Sequence, residues 1–106
     1  MGEPELIQSL RDFVAERDWG QFHTPENLAK SISIEAGELL ECFQWSSTAR
    51  QHEITAELAD VLTYCLLLAD KLGLDPDEIV KDKLEQTRLK YPIDKAHGRS
   101  DKYDRL

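Results

Sequence analysis

Four carboxylates stand in two matching pairs in the first two thirds of the chain. Glu35 and Glu38 are three residues apart, and after eighteen intervening residues Glu57 and Asp60 repeat the spacing. Residues three apart on an α-helix are neighbours on its surface. Each pair can therefore offer two oxygen-bearing side chains to one ligand.

Glu35 falls within the apolar face of its own helix. With successive residues about 100° apart, the core-facing stripe comprises Leu28, Ile32, Leu39 and Phe43. Glu35 lies inside that stripe, Glu38 lies on its flank, and Glu41 points further out towards water. An unpaired carboxylate taken out of water costs several kcal/mol even after relaxation, so Glu35 requires a partner.

The second pair lies beside the apolar face of the next helix. Glu57, Asp60 and Tyr64 follow one another at positions i, i+3 and i+7. Two antiparallel neighbouring helices would bring the four carboxylates together, where they repel each other unless a cation lies between them. Magnesium prefers oxygen ligands and commonly bridges carboxylates to substrate phosphates. The pattern therefore predicts a Mg²⁺ site, with Mn²⁺ as the second choice of ion.

Two other interpretations of these acids are open at this point. Acids on a helix flank are often solvated or paired with Lys and Arg, and such acids bind no metal. Ferritin-like di-iron bundles also use inward acids, but they require Glu-x-x-His on two helices. The corresponding segments here read EAGE and ELAD, without histidine. An oxygen-only ligand set favours Mg²⁺ or Mn²⁺ over redox iron.

Four helices are predicted to position these residues. They cover Glu5 to about Arg17, Pro25 to about Gln44, Arg50 or Gln51 to Leu72, and Pro76 to about Leu89. Proline after a Thr or Asp cap marks the starts of the second and fourth helices, and Gly73 marks the end of the third. Short connections between four helices indicate an all-α antiparallel four-helix bundle. Residues 93–106 are expected to form a polar, irregular tail.

Length and composition indicate a single domain spanning residues 1–106. Hydrophobic residues make up 41% and charged residues 32% of the chain, an ordinary globular balance. No apolar run is long enough to predict a membrane span, and the N-terminus lacks a secretory signal, so a cytoplasmic protein is expected. Cys42 and Cys65 lie at apolar helical positions without a CxxC partner, and both are expected to be buried free thiols.

The charge of the chain is unevenly distributed. The net charge is −8, which argues against a nucleic-acid duplex as a partner because binding to a phosphate backbone needs a cationic surface. Residues 1–80 carry 5 basic and 16 acidic side chains, whereas residues 81–106 carry 8 basic and 5 acidic ones. This distribution suits a metal–polyphosphate ligand, although it is also what solubility alone would give.

The acid pairs and their flanking segments resemble one known family. E35-A-G-E38 followed by E57-L-A-D60 resembles the ExxE…ExxD metal signature of the MazG-like all-α nucleoside triphosphate pyrophosphatases. The segments RDWGQFH (17–23), FQW (43–45), DVLTY (60–64) and KYP (90–92) look like the dCTP pyrophosphatase branch of that superfamily. The resemblance covers about residues 5–106, and its motifs occur in order.

The resemblance implies a helical bundle that assembles as a tetramer, with a dimer as the second choice. It implies hydrolysis of a (deoxy)nucleoside triphosphate between the α- and β-phosphates to the monophosphate and pyrophosphate. The residues that match magnesium ligands are Glu35, Glu38, Glu57 and Asp60. Those that match the nucleoside pocket are Trp19, His23, Trp45 and Tyr64. Those in the segment that approaches the phosphates or closes the site are Lys83, Arg88 and Tyr91.

Two positions depart from the family pattern. Thr87 stands where family members often carry Asn before the Arg of the last turn, and Leu10 stands where some eukaryotic relatives have His. Both changes leave the metal ligands intact. They leave the base preference open.

The sequence therefore predicts a Mg²⁺-dependent pyrophosphohydrolase that clears unwanted or excess (deoxy)nucleoside triphosphates, with a dCTP-like deoxynucleotide as the expected substrate. Independently of the resemblance, the rings of Trp19 and Trp45 can stack on a base, although each could also cap the core at one end of the bundle. The alternative from another class is a non-catalytic helical module that binds a nucleotide or a protein through its acidic face.

Overall fold

A computed structural model describes residues 3–44 and 50–106, and these residues are helical with irregular connections and no strand. The α-helices are α1 (Pro4–Glu16), α2 (Pro25–Glu41), α3 (Gln51–Lys71), α4 (Pro76–Lys90) and the short α5 (Ile93–Ala96). Two 3₁₀ turns occupy Gly20–Phe22 and Tyr103–Arg105. The predicted all-α class is confirmed.

The helix starts predicted from proline and its preceding cap are confirmed. The Thr24 hydroxyl accepts a hydrogen bond from the backbone N–H of Asn27 at 3.1 Å, and Pro25 is the first residue of α2. The Asp75 carboxylate likewise accepts from the N–H groups of residues 77 and 78 before Pro76 opens α4. These caps satisfy backbone donors that have no partner within the helix.

α2 ends earlier than its apolar pattern predicts. Its last residue is Glu41 rather than Gln44, because the backbone tightens into bonds between residues three apart over Cys42, Phe43 and Gln44. Such tightening is common in the last turn of a helix. The predicted stripe residue Phe43 therefore leaves the helical register and is 52% exposed.

α2 and α3 form the most extensive helix pair in the described residues, and α1 packs against α3. The buried side chains are Leu28 of α2 and Leu66 and Ala69 of α3, and Leu28 is fully buried. An ion pair between Arg11 of α1 and Asp70 of α3 joins the same helices, with Arg11 Nε 3.1 Å from Asp70 Oδ2. This three-helix unit holds the predicted acidic residues on its α2–α3 seam.

α4 stands apart from the other helices of the chain. None of its pairings with another described helix is extensive, and the radius of gyration is 17.2 Å, against about 13 Å for a compact domain of this length. Most of its side chains are charged, and the few apolar ones are exposed, with Leu89 84% accessible. The fourth helix of the predicted bundle therefore does not close the bundle within one chain.

The C-terminal segment is more ordered than the sequence predicts. It folds back on the end of α4, where the backbone N–H of Tyr103 donates to the Tyr91 hydroxyl at 3.2 Å. The two rings meet edge to face with centroids 6.2 Å apart, and the Lys90 ammonium lies 4.8 Å from the Tyr103 ring centroid. Aromatic and cation–π contacts thus replace the apolar core that this polar segment lacks.

None of the described helices is both long enough and apolar enough to cross a membrane. The expectation for the two cysteines is wrong for Cys65, which is exposed in the single chain, and Cys42 is half-buried. Cys65 lies on the outer side of α3, a side that the predicted bundle would have covered.

Candidate active site

The α2–α3 seam brings the predicted carboxylates together. Glu35, Glu57 and Asp60 each place one carboxylate oxygen within 4.8 Å of the others. Because α2 and α3 run antiparallel, Glu38 comes next to Glu57 one turn further along. Its carboxylate acts electrostatically on both Glu35 and Glu57. The seam therefore groups all four predicted ligands, which we call the acidic cluster.

Two oxygens of the acidic cluster are buried without a partner. The Oε2 atoms of Glu35 and Glu57 are shielded from solvent, and no hydrogen-bond donor reaches either of them. Buried polar atoms are normally hydrogen-bonded, and a carboxylate without a partner is strongly disfavoured away from water. No lysine or arginine forms an ion pair with any member of the cluster in the described residues. The arrangement lacks a positive charge.

The pKa values of the two central acids reflect this imbalance. Burial raises the pKa of Glu35 most, and the neighbouring carboxyl of Glu38 and the charges of Asp60 and Glu57 raise it further. Burial also raises the pKa of Glu57, followed by the charge of Glu38. Both causes disfavour the ionised forms. A divalent cation bound among these oxygens would offset both the cost of burying the charges and the repulsion between them.

The chemistry of the ligand set fits a hard divalent ion. Carboxylates alone make up the metal-competent group found in the described residues, and oxygen-only sets suit Mg²⁺ or Mn²⁺. The Glu-x-x-His ligands of a di-iron centre are absent from this cluster. Glu35, Glu57 and Asp60 would hold the ion, and Glu38, whose carboxyl lies beside that of Glu35, would be a fourth oxygen ligand.

A cavity of about 320 Å³ opens beside the acidic cluster, and we call it the front cavity. Asp60 belongs to both the cluster and the cavity wall. The predicted nucleoside-pocket residues Trp19, His23 and Tyr64 all line the cavity. The Trp19 ring is held edge to face against Phe13, with centroids 5.6 Å apart. The cavity therefore joins three predicted pocket residues to one predicted metal ligand.

Sequence reasoning missed part of the front cavity. Phe13, Val14, Thr63 and Leu67 also line it, although the helical spacing of Phe13 is equally consistent with a place in the core. Leu10, noted above as a departure from the family pattern, lies in the same wall. An apolar residue that faces a core and one that faces a pocket share the same periodicity, so the sequence carried no signal to separate them.

An acidic cleft lies on the other side of the cluster. Glu38, Glu41, Cys42, Glu53 and Glu57 line it. Glu53 was not predicted, although its position four residues before Glu57 places it on the same helix face. Burial raises the pKa of the Cys42 thiol most, and the charges of Glu57 and Glu53 raise it further. The cleft is thus a region of strong negative potential beside the cluster.

The remaining predicted site residues are not brought to the acidic cluster within the chain. Lys83 and Arg88 lie exposed on α4, and Arg88 forms a local ion pair with Glu85 at 2.9 Å. Tyr91 contacts Tyr103 of the folded-back C-terminal segment instead. None of the three lines the front cavity or the acidic cleft. Trp45 lies outside the described residues.

Comparison with known proteins agrees with this geometry. Residues 30–106 match the MazG-like family. The chain is 38% identical to the dCTP pyrophosphatase 1 of Rattus norvegicus and to that of Homo sapiens, in each case over 98% of this chain and 69% of the relative. A solved pyrophosphatase from Archaeoglobus fulgidus is 46% identical and superimposes with a TM-score of 0.79, covering 84% of this chain and 91% of that one.

The chain therefore belongs to the MazG-like family. The resemblance inferred from the spaced acid pairs is confirmed, and so is the helical fold that it implied.

Proposed function

We propose that this protein hydrolyses deoxynucleoside triphosphates between the α- and β-phosphates in a Mg²⁺-dependent reaction, with a dCTP-like substrate. The pyrophosphohydrolase class is confirmed by the relatives and the structural neighbour. The ion, the base and the roles of individual residues are the proposal. The observation that carries it is the shared position of Asp60, which lies in both the acidic cluster and the front cavity.

In the proposed complex, the front cavity would bind the nucleoside and the acidic cluster would bind the phosphates through the metal ion. Trp19 offers an aromatic face to a base, and Tyr64 offers a ring beside the sugar. Base stacking on an aromatic side chain contributes about 1–3 kcal/mol in single-strand binding proteins. Because Asp60 stands where cavity and cluster meet, a nucleoside in the cavity would place its α-phosphate close to the carboxylates.

Catalysis would depend on placement and charge rather than on a covalent intermediate. A divalent ion held by the cluster supplies charge neutralisation to the phosphate oxygens. The carboxylates of Glu35, Glu38, Glu57 and Asp60 would hold the ion, and one of them would accept the proton of the attacking water while pyrophosphate leaves.

The cations for the polyphosphate would come from a second copy of the chain. The described residues place no Lys or Arg in the front cavity, whereas α4 carries Lys83 and Arg88 away from the body. The apolar residues of α4 are exposed, and burying them against a partner would be favourable. We infer a homo-oligomer, with a tetramer as the first choice and a dimer as the second, in which Lys83, Arg88 and Tyr91 approach a neighbouring site.

The reaction is tested with a panel of deoxynucleoside and nucleoside triphosphates, with and without Mg²⁺. The expected products are the nucleoside monophosphate and pyrophosphate, identified by ³¹P NMR, with turnover abolished by EDTA and restored by Mg²⁺ or Mn²⁺. Release of orthophosphate would show that a different bond is cleaved. Binding without turnover in the presence of Mg²⁺ would instead support the non-catalytic module.

The assembly is tested separately by light scattering. A mass corresponding to four or two chains is expected at micromolar concentration. A monomer would exclude a contribution of α4 from a neighbouring copy.

A further inference from the structure

A second cavity lies directly behind the front cavity. It has a volume of about 280 Å³, and we call it the rear cavity. Arg11, Ala15, Asp70 and Lys71 line the rear cavity but not the front one. The two cavities share three wall residues, which are Val14, His23 and Leu67.

His23 is the residue of this shared wall whose side chain can rotate without losing a hydrogen bond. Val14 and Leu67 are fixed in α1 and α3, whose packing forms the body of the chain. His23 instead lies between the 3₁₀ turn Gly20–Phe22 and the Thr24 cap. Its imidazole makes no hydrogen bond to another described residue. A rotation about its side-chain bonds would therefore break no polar contact.

The size of the front cavity limits what it can hold alone. Ligand pockets usually measure about 300–1,000 Å³, so 320 Å³ is near the lower end. The cavity must hold the sugar as well as the base, because Asp60 of the acidic cluster lies in its wall. A single-ring base fits that volume, whereas a two-ring base would contact the His23 side chain in the wall shared with the rear cavity.

The rear cavity has the chemistry to receive the edge of a base. Five of its wall residues are apolar or glycine, and its charged groups are the Arg11–Asp70 ion pair, Lys71 and Asp18. The ion pair holds the Asp70 carboxylate in a fixed position, where its oxygens can accept a hydrogen bond from an amino group. Lys71 supplies a donor on the same side.

We propose that the rear cavity is a second compartment of the base pocket, and that rotation of His23 opens it to nucleoside triphosphates with a two-ring or similarly enlarged base. The proposal rests on the proposed function, because it assigns the front cavity to the nucleoside. It makes His23 the residue that sets the accepted base size.

Three single variants and one double variant test this assignment. His23→Ala removes the rotatable side chain from the wall between the two cavities. Ala15→Met places a larger side chain in the rear cavity at a position that does not line the front cavity. The double variant combines both changes. Ala29→Met is the matched control, because Ala29 is exposed on α2 and lines neither cavity. The measured quantity is the ratio of kcat/KM for dATP to kcat/KM for dCTP.

His23→Ala should raise this ratio by about tenfold. This is the lower end of the change in kcat/KM that one methylene group in a pocket causes, which is about 10–200-fold. Ala15→Met should lower dATP turnover by about tenfold more than dCTP turnover. The double variant should lose the gain of His23→Ala, and Ala29→Met should keep the wild-type ratio. Loss of activity in equal proportion on both nucleotides in His23→Ala and Ala15→Met would overturn the proposal.

A binding measurement separates this proposal from the proposed function. The same proteins are titrated with non-hydrolysable α,β-imido analogues of dATP and dCTP by calorimetry. The affinity ratio should follow the kinetic ratio even if the reaction assignment fails. An affinity ratio that is the same in all variants would overturn the two-compartment pocket while leaving pyrophosphohydrolysis intact.

Discussion

The α2–α3 seam and α4 use charged residues in opposite ways. On the seam the charges are negative, crowded and partly buried, and two carboxylate oxygens have no partner. On α4 the charges are of both signs and exposed, and Arg88 pairs with Glu85 one turn away. Buried carboxylate oxygens without a partner indicate that a ligand binds there, whereas exposed charges that are already paired give no such indication. The contrast supports our proposals of a metal site within one chain and of phosphate-binding residues supplied by a neighbouring copy.

The largest effect is expected on the seam. Glu57→Gln keeps the shape of the side chain and removes a metal-binding charge, so kcat/KM should fall by about 100-fold or more, equivalent to several kcal/mol of transition-state stabilisation. Glu26→Gln is the control, since Glu26 lies exposed on α2 in a surface pair with Lys30. Steady-state kinetics with Mg²⁺ measures the effect, and circular dichroism verifies the fold. Full activity in Glu57→Gln would contradict the proposal that the seam holds a catalytic metal ion.

The next effect concerns α4. A Lys83→Ala/Arg88→Ala variant should raise KM by about tenfold, because about 1.4 kcal/mol of phosphate binding is lost, while kcat changes less. If α4 serves a neighbouring copy, mixing this variant with Glu57→Gln should raise turnover at low substrate concentration above the sum of the two proteins measured separately. Mixed assemblies then contain sites with intact acids and intact cations. Absence of recovery after confirmed subunit exchange would place α4 outside the site.

The raised pKa values predict an unusual pH dependence of the metal-free protein. A carboxyl whose pKa is higher in the folded chain binds protons more tightly there, so stability rises as pH falls from neutral towards the ordinary value of 4.5. Melting temperatures in EDTA should therefore increase over that range, and Glu35→Gln should weaken the increase. Magnesium at about a hundredfold excess over its Kd should add about 2.7 kcal/mol at neutral pH. A melting temperature that falls steadily with pH in EDTA would contradict this.

The smallest effect concerns the Arg11–Asp70 pair, which is shared by the body and the rear cavity. The hydrogen bond from Arg11 lowers the pKa of Asp70 below its ordinary 3.8, so its stabilisation is present above that value and lost as pH falls through the lowered pKa. Asp70→Asn should lower the melting temperature slightly at neutral pH, and the difference should vanish in strong acid. Glu85→Gln, which removes an exposed pair on α4, should cause no measurable change.

The helices and the clustering of the acidic residues could be predicted because each carries a local signal. Thr24-Pro25 and Asp75-Pro76 set helix starts through short-range hydrogen bonds, and Glu35 is conspicuous because a charge in an apolar stripe is costly. Such signals depend on neighbours within one or two turns. The structure places these residues as their local chemistry requires.

The position of α4 and the walls of the pocket could not be predicted for the opposite reason. Leu84 and Leu89 have helical spacing, but nothing in the sequence states whether the surface that covers them belongs to the same chain. Phe13 faces the front cavity although its periodicity is that of a core residue. Tyr103 meets Tyr91 through a chain reversal over the eleven intervening residues, whose sequence gives no sign of it. These features depend on tertiary or quaternary contacts rather than on local pattern.

Cys42 gives the acidic cleft an internal reporter. Because the carboxylates of Glu57 and Glu53 help to keep its thiol protonated, a cation that neutralises them would release more thiolate. Alkylation of Cys42 should therefore accelerate when a cation binds in the acidic cleft. The rate of this reaction makes the thiol a chemical probe beside the seam. Occupancy could then be followed in real time without a nucleotide and without turnover.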